Sequence, residues 1–138
     1  MDIRYPTLLE PQEPRGFFVR FLDFEDTFTE GETEDDALRN ASEVLTAMLG
    51  WKLDNGHPLP DPSQRVQGAH YVSPDAKTQA AILLRRAREG QSIADVAKAM
   101  DTSWAAAQRL ENPRHWPSLK QLEKAAATMG KRLVLSFD

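Results

Sequence analysis

Residues 92–130, SIADVAKAMDTSWAAAQRLENPRHWPSLKQLEKAAATMG, leave this chain little freedom in how that stretch folds. Three serines stand just before short helical patterns. Two of them have a capping partner three residues on, Ser92 with Asp95 and Ser118 with Gln121. A serine oxygen in that place takes an otherwise unbonded amide of the first turn, and the partner side chain returns the bond. Behind Ser92, Ile93, Val96, Ala97 and Met100 recur at helical spacing and form one buried stripe. Asp101-Thr102 is a short polar break, and Ser103 or Thr102 caps a second helix that buries Ala107 and Leu110. Pro113 and Pro117 bracket a loop, and Gly130 stops the third helix. The reading is three short helices joined by two tight connections.

This stretch resembles the helix-turn-helix domains of the phage-repressor class, which present one helix to the major groove of DNA. Val96-Ala97, Arg109-Leu110-Glu111-Asn112, Ser118-Leu119 and Leu122 carry the resemblance. The chain departs from the class at three places. Ile93 stands where Gln usually touches a phosphate, Trp104-Ala105-Ala106-Ala107 where Gln often heads the reading helix, and Asp101 at the usual Gly of the turn. The resemblance implies that Trp104, Ala105 and Arg109 face base edges while Ser92, Ser103 and Asn112 approach phosphates. Gln108 contacts a base or a phosphate, and Lys98, Arg114 and His115 flank the reading helix within reach of phosphates. Arg109 has the chemistry to bind guanine O6 and N7 together; the alternatives are a solvated side chain or an ion pair with Glu111. Trp104 either touches a thymine methyl or sugar, or packs in the bundle or a dimer interface.

Charge divides the chain. Residues 1–74 hold six Lys/Arg against fourteen Asp/Glu, a balance of −8, and residues 75–138 hold eleven against seven, a balance of +4. Opposite balances suggest two jobs with oppositely charged partners: phosphates for the basic half, a cationic protein surface for the acidic half. The 138 residues suffice for two small domains, and a domain of about 65 residues folds with little margin, which favours oligomers. No apolar run approaches the ~20 residues that span a bilayer, and MDIRYP lacks the apolar core of a signal peptide. The lack of cysteine rules out disulfides and thiolate metal sites and fits a reducing cytoplasm.

The first fifty residues read β-β-β-α. Strands are expected over Tyr5–Glu10, Phe17–Phe21 and Thr27–Thr29, with a turn at Pro14-Arg15-Gly16. Phe17, Val19 and Phe21 share one face of the second strand, and Phe18 and Arg20 the other. Thr33 caps a helix with Asp36 as box partner, and Ala37, Leu38, Ala41, Val44, Leu45, Met48 and Leu49 form one apolar face. That face covers Phe17, Val19 and Phe21 and gives a two-layer α+β domain over residues 1–72. Residues 54–66, with three prolines, read as an extended connection, and Gln67–Val72 as a further strand of the same sheet. The second domain, 73–138, is all-α with a C-terminal strand. Its first helix starts at Ser73-Pro74 and runs to Glu89 before Gly90, burying Ala80, Leu83, Leu84 and Ala87. Arg132–Phe137 alternates, with Leu133, Leu135 and Phe137 on one face, and finds no partner strand in a helical domain. Self-pairing in a dimer or tetramer would remove that exposed edge.

Taken together, Tyr5-Pro6, Gly16-Phe17-Phe18-Val19-Arg20-Phe21, Asp23-Phe24, Thr29-Glu30-Gly31-Glu32-Thr33, Asp36-Ala37 and Asn40-Ala41 resemble the N-terminal pattern of HicB antitoxins. Arg15-Gly16 replaces a Gly pair, Glu25 follows Phe24 where Pro is common, and Glu30 replaces a common Gln. The resemblance implies a partial RNase-H-like N-terminal domain, often followed by a repressor-like helix-turn-helix. It implies a partner, a HicA-like toxin: a small basic ribonuclease whose RNA surface and catalytic His the N-terminal domain covers. It implies that the C-terminal domain represses the operon. Candidate toxin contacts are Phe18, Arg20, Asp23, Phe24, Glu25, Asp26 and Glu30.

An enzyme is the weaker reading. Asp23, Glu25 and Asp26 share a loop with no spacing that gathers them for a two-metal site. His57, His70 and His115 are scattered, and no phosphate-cradling Gly loop is present. Glu34-Asp35-Asp36 suits a helix N-terminus. No metal or cofactor is expected. The alternative to an antitoxin and autorepressor is a transcriptional regulator with a ligand-sensing or oligomerising N-terminal domain.

Overall fold

A computed structural model describes residues 3–138. The chain is α+β and divides into two compact units, Met1–Asp75 and Ala76–Asp138. In the first, β1 (Tyr5–Pro11), β2 (Phe17–Phe21), β3 (Phe28–Gly31) and β4 (His70–Val72) form an antiparallel sheet of order β3-β2-β1-β4, with α1 (Glu34–Asp54) packed on it.

Thr33 starts α1: its Oγ1 accepts the Asp36 N–H at 3.1 Å. Glu34, Asp35 and Asp36 meet the positive end of the helix dipole, and Lys52 sits in the last turn. Ala37, Ala41, Leu45, Leu49 and Leu53 bury one stripe at four-residue intervals. Each fully buried Leu contributes about 1.5–3 kcal/mol over an exposed one. The helix runs five residues past the expected Leu49, because Leu53 returns to the stripe while Trp51 points to solvent.

The small residues lie where helix and sheet come closest. A Cβ on Gly31 would sit 2.3 Å from the Ala37 backbone nitrogen. Val19 and Phe21 are buried beneath the helix layer, as alternation along β2 requires. Two buried hydroxyls are satisfied by carbonyls, as burial demands: Tyr5 donates to Pro60 O at 2.8 Å and Thr7 to His70 O at 2.7 Å. The Tyr5 bond also ties the proline-rich connection to the sheet. The expected strand at Gln67–Val72 shortens to His70–Val72, paired with Tyr5–Thr7.

The second unit holds α2 (Ala76–Ala87), α3 (Ile93–Ala99), α4 (Trp104–Arg109) and α5 (Leu119–Thr128). Leu84, Val96, Met100, Leu110, Ala125 and Met129 form its core, with Ala87 and Leu122 packed against it. Ser92 and Ser118 head capping boxes with Asp95 and Gln121, and Ser103 caps α4. Gly90 and Gly130 stop α2 and α5 with φ of +81° and +71°.

Three expectations are corrected. Ser73 does not cap α2, which begins at Ala76; the Ser73 carbonyl accepts the Ser42 hydroxyl and the Asp75 N–H donates to Thr46 Oγ1, so α1 holds this segment. On α2 the buried residues are Thr78, Ala81, Ile82 and Leu84, while Ala80, Leu83 and Ala87 are half-buried. Residues 131–138 form no strand, since a strand needs a neighbour to pair with. Leu133 is half-buried there, Leu135 is exposed, and Phe137 is 105% exposed. Among the described residues no helix is long and apolar enough to cross a membrane.

Candidate functional site

Helix α4 is short, and its two faces differ sharply. Ala107 and the C-cap Leu110 are buried. Trp104 (52% exposed), Ala105, Gln108 and Arg109 lie in solvent. At 3.6 residues per turn these four cover an arc of about 140°. The structure therefore brings the expected base-reading residues onto one open surface. The turn before α4 contains Asp101 in the left-handed region, φ +54°, a conformation that glycine adopts at lower cost.

The expected phosphate contacts are partly committed within the chain. Ser92 and Ser103 Oγ accept capping bonds from Asp95 N and Ala106 N, at 3.0 and 3.1 Å. Asn112 Oδ1 accepts the Arg114 N–H at 2.9 Å, leaving its NH2 group to donate elsewhere. Arg114 and Lys98 are exposed and His115 is half-buried.

Glu111 does not pair with Arg109. Its carboxylate, 9% exposed, accepts from Arg88 Nε and, at 3.0 Å, from Arg88 Nη2, with Arg85 Nε at 3.6 Å. The bond to Glu111 raises the Arg88 pKa. Arg88 also donates to Gln91 O at 2.8 Å. Arg85 in the last turn of α2 and Arg88 just beyond it thus hold Glu111, the residue after the α4 C-cap, and the paired, planar fork fixes direction as well as distance. Sequence reading missed this clamp, because no local spacing links Arg88 to Glu111, 23 residues on. Lys77 Nζ lies 5.2 Å from the centre of the Trp116 ring and ties the α4–α5 loop to α2.

In the N-terminal unit the candidate contacts separate. The β-sheet register aligns Leu8, Arg20 and Phe28 in one cross-strand row and Glu10, Phe18 and Glu30 in the next. Both rows lie on the face opposite α1. Arg20 Nε is 3.5 Å from Glu10 Oε1, and the Phe18 and Phe28 rings are 5.4 Å apart. Phe18, Arg20 and Glu30 thus share one surface. Leu8, Glu10 and Phe28, missed from the sequence, belong to it and become visible only once the register is known.

Glu25 and Asp26 are exposed in the β2–β3 turn. Asp23 accepts from Ser63 N at 2.8 Å and from Ser63 Oγ, and so holds the proline-rich connection. Phe24 is corrected to a core residue. It is 7% exposed, with its ring 4.7 Å from Tyr5 and 6.3 Å from Phe21, so its side chain faces inward. No group of three His, Cys, Asp or Glu among the described residues is placed to hold a metal ion.

Comparison with known proteins adds an independent finding. A family model described as HicB_like antitoxin of bacterial toxin-antitoxin system matches residues 4–82. The chain is similar to Antitoxin HicB 1 of Photorhabdus laumondii subsp. laumondii, with 27% identity over 139 aligned residues that take in 99% of this chain and 88% of that one. It is also similar to Antitoxin HicB of Escherichia coli, with 26% identity over 135 residues, 96% of this chain and 98% of that one.

Proposed function

The chain belongs to the HicB-like antitoxin family of bacterial toxin–antitoxin systems, and from that premise we propose that its two units do two separable jobs. The N-terminal unit binds and silences a HicA-like toxin, a small basic ribonuclease. The C-terminal unit is a helix-turn-helix that binds operator DNA and represses the operon. On this reading the protein is a cytoplasmic binding protein without catalysis of its own.

The observation that carries the reading is the division of charge between the compact units. With the boundary after Asp75, the first unit holds six Lys/Arg against fifteen Asp/Glu, a balance of −9. The second holds eleven against six, a balance of +5. An acidic surface attracts a protein built to hold RNA and repels RNA itself. A basic unit gains affinity for a phosphate backbone through counterion release. The open arc of α4 supports major-groove docking of Trp104, Ala105, Gln108 and Arg109, with Ser92, Ser103, Asn112 and Arg114 toward phosphates.

Arg109 is the residue chosen to test DNA reading. Arg109→Ala loses discrimination between operator and unrelated duplex by about 10- to 100-fold, the worth of a good bidentate base contact. Its fold is unchanged, because the side chain is exposed. Fluorescence anisotropy with both duplexes measures this, and equal discrimination by the variant removes Arg109 from the site.

The C-terminal segment supports self-association. Leu135 and Phe137 are exposed and Leu133 is half-buried, an apolar tail that one chain leaves in water. Pairing with its twin would complete a strand ladder and hold two α4 helices about one DNA turn apart. Light scattering on a chain ending at Gly130 should give a smaller mass than the full chain. Equal masses reject the segment as the dimer contact.

A further inference from the structure

We infer that Asn55-Gly56, at the end of α1, is a site of spontaneous chemical modification, in which Asn55 loses its side-chain nitrogen and becomes aspartate or isoaspartate, and that this change unfastens the last turn of the helix. Of the three asparagines only Asn55 precedes a glycine. Asn112 precedes Pro113, whose nitrogen carries no hydrogen. Asn40 lies inside α1, before Ala41, and its Nδ2 donates to Glu30 O at 2.8 Å. The chemistry needs a main-chain nitrogen that can reach an amide carbon. Gly56 N gives up its proton and bonds to Asn55 Cγ, and the Cγ–Nδ2 bond breaks to release ammonia. Water then opens the cyclic imide at either carbonyl, giving aspartate or its backbone-extended isomer. Nothing is oxidised or reduced, and water is the only other reactant.

The local structure favours that attack. Asn55 and Gly56 are both exposed to water. A side chain after the asparagine crowds the ring as it closes; glycine has none, and the space where a Cβ would stand is open to 4 Å. The Gly56 N–H donates to Leu53 O only at 3.4 Å, a long bond that holds the nucleophile weakly. The consequence follows from what Asn55 does for the helix. Its N–H donates to Trp51 O at 3.1 Å, and its Nδ2 donates to the same oxygen at 2.8 Å. His57 N–H donates to Lys52 O at 2.9 Å and its ring stacks on Trp51 at 4.8 Å, so the chain folds back over the last turn. Leu53, 5% exposed, ends the buried stripe within that turn. A carboxylate at position 55 can only accept, so the side-chain bond to Trp51 O is lost. Its charge also stands at the negative end of the helix dipole. The nitrogen that leaves is the one bonded to Trp51 O, so the reaction proceeds from a frayed helix end, and helix ends open first. Once modified, the end cannot close as before.

The test ages the full chain in warm, mildly alkaline buffer beside a peptide of residues 51–60. Tandem mass spectrometry follows each asparagine, and enzymatic methylation detects isoaspartate. Asn55 should convert in the full chain, more slowly than in the peptide because the last turn must open, while Asn40 and Asn112 stay intact. An Asn55 that is still intact when the peptide has converted overturns the site. Conversion of Asn40 or Asn112 at an equal rate overturns it too. The structural consequence is read on Asn55→Asp, which copies one product. Hydrogen exchange at the amides of residues 55 and 57 should be about fivefold faster or more, the combined worth of one hydrogen bond and one charge at a helix end. Exchange equal to that of the unaltered chain overturns the unfastening of α1.

Discussion

Gly31→Val is expected to remove most of the stability of the N-terminal unit and, with it, to weaken toxin neutralisation. The reason is the tightest approach of sheet to helix. A side chain at Gly31 would meet Ala37 N at 2.3 Å, Ala37 Cα at 2.7 Å and Asp36 C at 2.8 Å, all of them backbone. No rotamer change relieves a clash with main chain. Either the first turn of α1 withdraws and breaks the Thr33 cap, or β3 leaves its register with β2. Overpacking a core costs about 1–3 kcal/mol when side chains give way. Here the backbone must move, so the cost is about 3 kcal/mol or more. Small domains have only about 5 kcal/mol of stability to lose, so this change removes most of it. Hydrogen exchange over residues 34–54 measures it: protection should collapse, and protection equal to that of the unaltered chain would refute the packing argument.

Glu111→Ala is expected to destabilise the helical unit by about 2–3 kcal/mol. Breaking a buried ion pair costs about 3–5 kcal/mol, because the remaining charge is stranded. Arg88 and Arg85 are 24% and 41% exposed, so water repays part of that cost. For a unit of this size the change lowers the thermal midpoint by roughly 10–20 °C. The same substitution releases the segment after the α4 C-cap from α2, so on the proposed reading operator affinity at low temperature should fall even while the unit is folded. Combining Glu111→Leu with Arg88→Met replaces the charged pair by apolar groups and should recover much of the stability. Thermal unfolding by circular dichroism checks both. A midpoint unmoved by Glu111→Ala would show that the clamp holds nothing.

The sequence made local features legible. Thr33, Ser92, Ser103 and Ser118 cap helices, because a cap needs only the amide three residues ahead, but the box partner expected at Asp36 pairs with Arg39 instead, at 3.2 Å. The stripes of α1 and α3 emerged for the same reason: period alone fixes a face. What stayed hidden depends on residues far apart in the chain. Gly31 looked like the end of a strand, and nothing nearby showed that a helix backbone would lie against it. Phe24 looked like a loop aromatic free to meet a partner, but Tyr5, nineteen positions earlier, receives its ring. Glu111 offered Arg109 as a neighbour, yet the fold supplies Arg88 and Arg85. Arg132–Phe137 has the alternation of a strand, but alternation cannot supply a second strand to bond with. Phe28 and Glu10 entered the candidate site only through the strand register, which slips by a residue to the wrong face if the turn is misread.

The central claim is that two oppositely charged units act separately, and the most direct measurement is RNA cleavage by the partner protein titrated with Arg109→Ala full-length chain. The account predicts complete loss of cleavage at equimolar chain by a variant that no longer discriminates its operator. Cleavage that persists at excess chain, when the unaltered chain stops it, would contradict the account.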